Sequence, residues 1–548
     1  MQVQLDHQFI SLPDGARYLD AVESLYPKDP RQVFAVRVKG RTLPLNAPCE
    51  PEADALSIRL DGEEGRRIYE RSLRFVLLAA IQRIAPAAKV RIENSTWQGI
   101  YFSVEGHKHD EAMAAHIEEN MRDLVDADLP FEKTVLTRKD AIAYYESIGQ
   151  TDKVRLLTYR PYEHFSVYRL GDMREYFYGE MAPSTGYVPV FAVHPSGAGL
   201  ELMLPDSERP DRPAEQHRLP RLYSTFAETT RWAQILKCQN LADLNEMIEK
   251  KGLREFIRVN EALHEKSISE IADQFVKSGA RLILIAGPSS SGKTTFAHRL
   301  TIQLKVRGLT PIKVSMDDYY RDHSETPLDE NGEPDYERVD ALDTALLSEH
   351  LARLLKDETV DAPTFDFVTG TRSGVHPVVP LPGHPILVEG IHALNDVLTH
   401  DIPRNEKFLI YISALTTLNI DDHNRIRTTD MRLLRRIVRD HLFRGTDPYV
   451  TLSMWDSVRR GERNYILPYQ ESADVMFNST LLYEPVILKK YGYPLLRDIS
   501  PDNPNYTRAH RLLKFLNYVS TADVEDEIPV NSILREFIGG CCFYREVD

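Results

Sequence analysis

At 548 residues the chain is too long for one core and predicts two to four domains, and 42% apolar with 27% charged residues is the balance of an ordinary globular protein. A net charge of −15 argues against a broad nucleic-acid footprint and leaves room only for a local basic groove, most readily in the N-terminal half. No apolar stretch has the length of a membrane span, Met1 to Ile10 lacks the regions of a signal peptide, and Cys49, Cys238, Cys541 and Cys542 have no metal-ligand spacing, so a cytoplasmic protein with reduced thiols is expected.

Residues 1–62 predict a small β-rich unit. Val3–Leu5 and Phe9–Leu12 alternate, Pro13-Asp-Gly15 turns, Ala16–Leu25 reads as a helix, and Val33–Val38 and Ser57–Leu60 read as strands around a Lys39-Gly40 turn. That order suggests a β-grasp module. Residues 63–204 predict an α+β unit: helices over Ile68–Ile84, Asp110–Leu124 and Arg138–Ser147, and strands over Val90–Ile92, Ile100–Val104, Tyr187–Val193 and Leu200–Leu204. Pro205 to Pro220 is a proline-rich linker, and helical segments over Phe226–Leu236, Leu241–Lys250 and Gly252–Val276 complete a connector, 205–278. From 279 to 480 strands and helices alternate, with candidate strands at 281–286, 311–316, 385–391, 407–413 and 473–478, the mark of a doubly wound parallel sheet. Residues 481–548 form a C-terminal extension.

The first of those strands runs into Gly287-Pro288-Ser289-Ser290-Ser291-Gly292-Lys293-Thr294-Thr295, which fits G-x-x-x-x-G-K-[ST]. Such a loop turns backbone N–H groups and a helix N-terminus onto a triphosphate, with Lys293 on the β- and γ-phosphates and the Thr294 hydroxyl able to hold Mg²⁺. An ATP site is therefore expected. Asp317, in Val314–Tyr320 at the end of the second strand, could take a proton from an attacking hydroxyl or simply cap a helix. Glu389 ends the strand at Pro385–Ile391, beside the position of the metal. Arg432, Arg435, Arg436, Arg439 and Arg444 follow helical spacing, either as a solvated basic face or as a lid over transferring phosphate.

Together these motifs resemble the uridine kinase family, related more distantly to phosphoribulokinase. Met316-Asp-Asp-Tyr-Tyr320, Asp335–Asp343, Pro363–Arg372, Val388-Glu-Gly-Ile391 and Arg436–Gly445 follow the loop in the family's order. The resemblance implies that Asp317 is the general base, that Glu337 binds ribose hydroxyls, that Glu389 is associated with magnesium, that Arg436 lies near the nucleoside and that Arg439 and Arg444 lie near phosphates. Tyr320, Phe365, Gly370 and Arg372 fall in its substrate motifs. Two positions depart from the pattern: Phe365 stands for a tyrosine, and Gly370 stands for the histidine that reads the pyrimidine, which predicts a vacated volume there and an altered or relaxed base preference.

Residues 1–204 resemble the N-terminal part of threonyl-tRNA synthetase, a TGS-like β-grasp followed by an editing domain, most clearly at Lys89–Phe102 and Gly179–Gly186. The resemblance places that domain's metal-binding positions at Arg71, Phe75, Phe177 and Met181, none of them a normal ligand. His107, His109 and His116 read as solvated. A fusion of this kind resembles a group of bacterial nucleoside kinases and implies transfer of the ATP γ-phosphate to a nucleoside 5′-hydroxyl in salvage. A nucleotide-switched, RNA- or ribosome-associated protein and a kinase of another small sugar or alcohol are the alternatives, and a homo-oligomer is compatible with the sequence.

Overall fold

The computed structural model describes residues 1–544 apart from 52, 97, 330, 331, 333, 367 and 368. Phe367 and Val368 of the Pro363–Arg372 motif thus lie outside the described residues. At the N-terminus the strands Gln8–Ser11, Gln2–Leu5, Asp54–Arg59, Val33–Val38 and Arg41–Pro44 form one sheet in that order. Gln2–Leu5 and Asp54–Arg59 run parallel, and Tyr18–Leu25 packs Tyr18, Ala21 and Val22 on the sheet. This is the expected β-grasp, with Arg41–Pro44 as an additional strand after the Lys39 turn (φ +54°).

The next unit is built on the long helix Glu63–Ile84. One sheet holds Ala192–Ser196, Gly199–Met203, Gly99–Val104 and Val90–Ser95, and another holds Met173–Glu175, His164–Leu170 and Glu132–Thr137. The strand expected over Tyr187–Val193 is a 3₁₀ turn at Thr185–Tyr187 and then a strand only from Ala192. Its apolar run is explained by burial: Val188 and Phe191 sit in the cluster that runs continuously from Val3 to Leu202.

In the C-terminal half all five expected strands form one parallel sheet, in the order Ile312–Ser315, Ile386–Glu389, Leu282–Ala286, Lys407–Ser413, Val475–Asn478. Leu282–Ala286 is central and wholly buried. Leu282 and Leu284 enter one apolar cluster and Ile283 and Ile285 another, so both faces are covered. The carboxyl ends of the strands form the edge at which ligands bind in such sheets. No described helix is long and apolar enough to cross a membrane.

The two halves meet over the turn Asn419–Arg425 and the helix Thr428–Arg444. The Ile92 N–H donates to the Asp422 carbonyl at 2.8 Å, and Asn419 Nδ2 donates to the Ile92 carbonyl at 2.7 Å. Buried ion pairs join Arg67 to Asp430 (2.9 Å), Lys153 to Asp421 (2.8 Å), and Arg427 to Glu70. In the extension, Tyr506–Leu516 touches the β-grasp through Thr42 N–H to Thr507 Oγ1 (3.0 Å) and the long helix through Arg508 to Glu63 (3.0 Å).

Candidate active site

Gly287–Gly292 leaves the central strand and enters the helix Lys293–Val306. Glycine is required at both ends of the loop. A Cβ on Gly287 would lie 2.1 Å from the Ile412 carbonyl oxygen, and Gly292 is left-handed at φ +86°. Lys293 Nζ donates to the carbonyls of Gly287 (2.9 Å) and Pro288 (3.4 Å). Burial pushes its ammonium down from the ordinary lysine range, against the pull of Glu389 and Asp317. The Thr294 hydroxyl donates to Glu389 Oε1 at 3.0 Å.

Around that pair the acids are strained towards protonation. Burial, with the Asp317 charge added, pushes Glu389 up to about 7. Burial likewise raises Asp317, which the charges of Lys293, Arg444 and Arg439 reach in opposition. Asp317 lies on the 3₁₀ turn Met316–Tyr319, directly after its strand. A cavity of about 270 Å³ opens beside Thr294 and Glu389, lined also by Lys313, Ser315, Asp318 and His376. A hydroxyl and two carboxylates form an oxygen-donor set suited to Mg²⁺, and the neighbouring lysine suits phosphate.

The arginine run divides into two groups. Arg432 and Arg435 are 2% and 0% exposed and belong to neither of the roles read from the spacing. They pair with Glu462 and Glu484 and brace the loop from behind, Arg432 donating to the Ser289 carbonyl at 2.9 and 2.8 Å and Arg435 to that of Ser290 at 3.4 Å. Arg436 donates to Ser289 Oγ at 3.0 Å and pairs with Asp440 at 3.2 Å, while its charge reaches Glu337. Arg439 and Arg444 share Asp440 at 2.9 and 3.7 Å.

The acceptor-side residues gather under a hairpin, Val360–Asp366 with Thr371–Val378, that was not anticipated from the sequence. The Phe365 ring lies 5.8 Å from that of Tyr320, whose hydroxyl donates to the Tyr336 carbonyl at 3.2 Å. Glu337 packs against Gly461, and burial pushes it up to about 7. Arg372 ties the hairpin down, donating to the carbonyls of Tyr320 (3.1 Å) and Tyr319 (3.3 Å) and to Asp343 (3.2 Å). The volume expected to stand vacant at Gly370 is filled. Gly370 has φ +69°, a Cβ there would lie 2.0 Å from His323 Nδ1, and the His323 N–H donates to the Gly370 carbonyl at 2.9 Å. The His323 ring sits 5.9 Å from Phe365 and 4.9 Å from Tyr336. His392, buried beside Tyr465 and lowered by burial to about 4, is a second imidazole near Glu337 that sequence reasoning missed. Neither histidine was singled out from the sequence: His392 directly follows Val388-Glu-Gly-Ile391 and His323 lies three residues after Met316–Tyr320, motifs read for their carboxylates and tyrosines.

In the front half Phe75, Phe177 and Met181 lie in the apolar core, with the Phe75 and Phe177 rings 5.3 Å apart. The Arg71 guanidinium covers Gly179, 2.6 Å from where a Cβ would stand.

Comparison with known proteins agrees with this division. Residues 282–481 match the model of the phosphoribulokinase/uridine kinase family. The chain is 30% identical over 207 residues to a uridine kinase of Deinococcus deserti, covering 38% of this chain and 91% of that one. It is 32% identical over 202 residues to a uridine kinase of Bacillus pumilus, covering 37% and 87%. The N-terminal region matches a threonine–tRNA ligase of Nitratidesulfovibrio vulgaris at 29% over 195 residues, 35% of this chain but only 30% of the ligase's length. With its parallel sheet and phosphate loop, the chain belongs to the phosphoribulokinase/uridine kinase family of P-loop kinases.

Proposed function

We propose that the protein transfers the γ-phosphate of ATP to the 5′-hydroxyl of a nucleoside, giving the nucleoside monophosphate. The observation that carries this reading is the convergence of a carboxylate with a raised pKa, Asp317, with the phosphate loop on one side and an aromatic, acid-containing recess of Tyr320, Phe365 and Glu337 on the other. In this reading Asp317 accepts the proton of the 5′-hydroxyl as its oxygen bonds to the γ-phosphorus and the bond to the β,γ-bridging oxygen breaks, releasing ADP. A carboxylate whose pKa is raised holds that proton better than one at its ordinary value. Lys293 compensates the β- and γ-phosphates, and Arg439 and Arg444 stabilise charge on the transferring group. Thr294 and Glu389 would hold Mg²⁺, which supplies charge neutralisation on the phosphate oxygens. Glu337 and Arg436 address the ribose.

The domain division that goes with this reading is a β-grasp at 1–62, an editing-like unit without metal ligands at 63–204, a connector at 205–278, the kinase at 279–480 and the extension from 481. The deciding experiment is ADP release with ATP and Mg²⁺ against uridine, cytidine, thymidine, adenosine, guanosine and inosine, with simple sugars and alcohols as controls. Phosphorylation of at least one nucleoside, with product carrying a 5′-phosphate, is expected. Turnover with a sugar alone would reassign the acceptor.

A further inference from the structure

The C-terminal segment reaches back to the phosphate loop. Ile533 and Phe537 are fully buried in the apolar cluster that also holds Phe296 and Phe477. A Cβ on Gly292 would lie 2.5 Å from Ile533 Cγ2, and the Arg435 guanidinium sits 5.0 Å above the Phe537 ring. This anchor aims Glu536, on the short helix Arg535–Ile538, at Thr295. Glu536 Oε2 accepts the Thr295 hydroxyl at 2.7 Å and the Thr295 N–H at 3.3 Å.

That N–H lies in the first turn of the 14-residue helix Lys293–Val306 and has no acceptor within the helix. Free N–H groups of this turn are the donors with which a phosphate loop cradles the α- and β-phosphates of a nucleotide. The Glu536 carboxylate therefore stands where a phosphate oxygen would, with the same charge sign and the same donors, and its charge reaches Lys293 and Glu389. The chain then continues along the same helix. The Cys542 N–H closes on the Val530 carbonyl at 2.9 Å, and the Phe543 ring stacks on His298 with centroids 4.7 Å apart and planes 11° apart.

We propose that Glu536 is an intramolecular occupant of the phosphate loop and sets nucleotide affinity: a nucleotide binds by displacing its carboxylate from Thr295 while Ile533 and Phe537 stay packed. The inference rests on residues 287–295 holding the nucleotide phosphates and not on the identity of the acceptor.

The test is calorimetric titration of ADP and of inorganic pyrophosphate into the full chain, its Glu536→Gln and Glu536→Ala variants, and a Glu527→Gln control that removes a charge elsewhere on the same segment, where Glu527 pairs with Arg258 and Arg254. Circular dichroism and thermal unfolding establish that each variant is folded. Both Glu536 variants are expected to bind ADP and pyrophosphate roughly tenfold more tightly, the scale of one charge-assisted hydrogen bond, with the control unchanged. Unchanged or weaker binding in folded Glu536 variants overturns the proposal, and so does an equal gain in the control, which would mean a long-range charge effect. Gain of binding with no nucleoside phosphorylated would sustain it while the acceptor reading fails. No binding of either probe by any form would overturn it together with the phosphate-loop reading.

Discussion

Two buried carboxylates at the junction of the two halves, Glu70 and Asp430, and two in the phosphate-loop site, Glu389 and Glu337, are tuned in opposite directions. At the junction burial alone would raise Glu70, but the charges of Arg427 and Arg74 outweigh it and hold the carboxyl at about 2. Asp430 is held low in the same way by Arg511 and Arg67. In the site burial wins: Glu389 and Glu337 rise to about 7 although Lys293 and Arg436 act on them. A structural ion pair is complete within the protein, whereas a site built for a cation and a phosphorylated ligand leaves its acids under-compensated until those arrive. The same contrast separates the halves. In the front Phe75, Phe177 and Met181 fill apolar core, and Arg67, Glu70 and Lys153 serve the contact with the kinase. Fold likeness alone would not have told these apart, because chemistry resides in the site.

The contrast is broken most directly in the site. Lys293→Ala is expected to abolish phosphate transfer. Asp317→Asn is expected to leave ATP binding near normal while lowering kcat by roughly 10²–10⁴, the usual worth of a general base. Normal turnover of Asp317→Asn in a steady-state assay would reject the assignment of the base.

Next in size is the junction. Asp430 sits in the first turn of Thr428–Arg444 and accepts from Arg67 (2.9 Å) and Arg511 (3.2 Å). Asp430→Asn leaves both guanidiniums short of a buried partner, and a loss of about 3–5 kcal/mol in denaturant unfolding is expected. The helix it anchors carries Arg436, Arg439 and Arg444, so kcat should fall with it. Unchanged stability would make the junction a passive contact.

The pH response sharpens the comparison further. Acids whose pKa is lowered on folding stabilise above the ordinary carboxylate range, and that contribution is lost as pH falls through their folded values. Glu337 and Glu389, raised from 4.5 to about 7, bind more protons folded than unfolded, so stability falls as pH rises through that window. The melting temperature of nucleotide-free protein should therefore decline from about pH 5 towards neutrality, and Glu389→Gln should flatten the decline. Mg²⁺ with nucleotide should raise the melting temperature more at about pH 8 than at about pH 5.5, because it binds the ionised form. A melting temperature that climbs across the same range would contradict the site's electrostatics.

Much of the back half was legible because its signals are local. The five strands are short apolar runs, and the phosphate loop is a contiguous motif whose glycines answer to single close contacts. The hairpin at Val360–Val378 was not legible: Pro363, Gly374 and Pro377 interrupt its alternation, and most of its second strand is exposed. The three-stranded sheet ending at Glu175 was missed for a related reason, since Glu132–Thr137 has no buried residue to give it a period. The division of the arginine run was hidden because helical spacing does not say which face meets Glu462 and Glu484, and those partners come from later in the chain. Glu536 lies 241 residues from the threonine it holds, a contact no periodicity encodes.

The smallest effect concerns the base and turns on one pair of residues. Gly370 lacks the imidazole by which the resembling family reads a pyrimidine, and the sequence alone pointed to an enlarged pocket. Instead His323 fills that space from another loop, its N–H held by the Gly370 carbonyl at 2.9 Å and its ring beside Phe365 and Tyr336. The glycine then has a positive reason to be there: a side chain at φ +69° would be strained, and its Cβ would meet His323 Nδ1 at 2.0 Å. The His323 ring carries a hydrogen-bonding edge into this space, so it can supply the base contact that Gly370 cannot. His323→Ala is expected to change the ratios of kcat/KM among nucleosides by about tenfold while leaving KM for ATP unaltered. Gly370→Ala, which would push the ring aside, is expected to shift the ratios in the same sense. Unchanged ratios in both variants would mean that the base is read elsewhere, with His392 near Glu337 the next residue to replace.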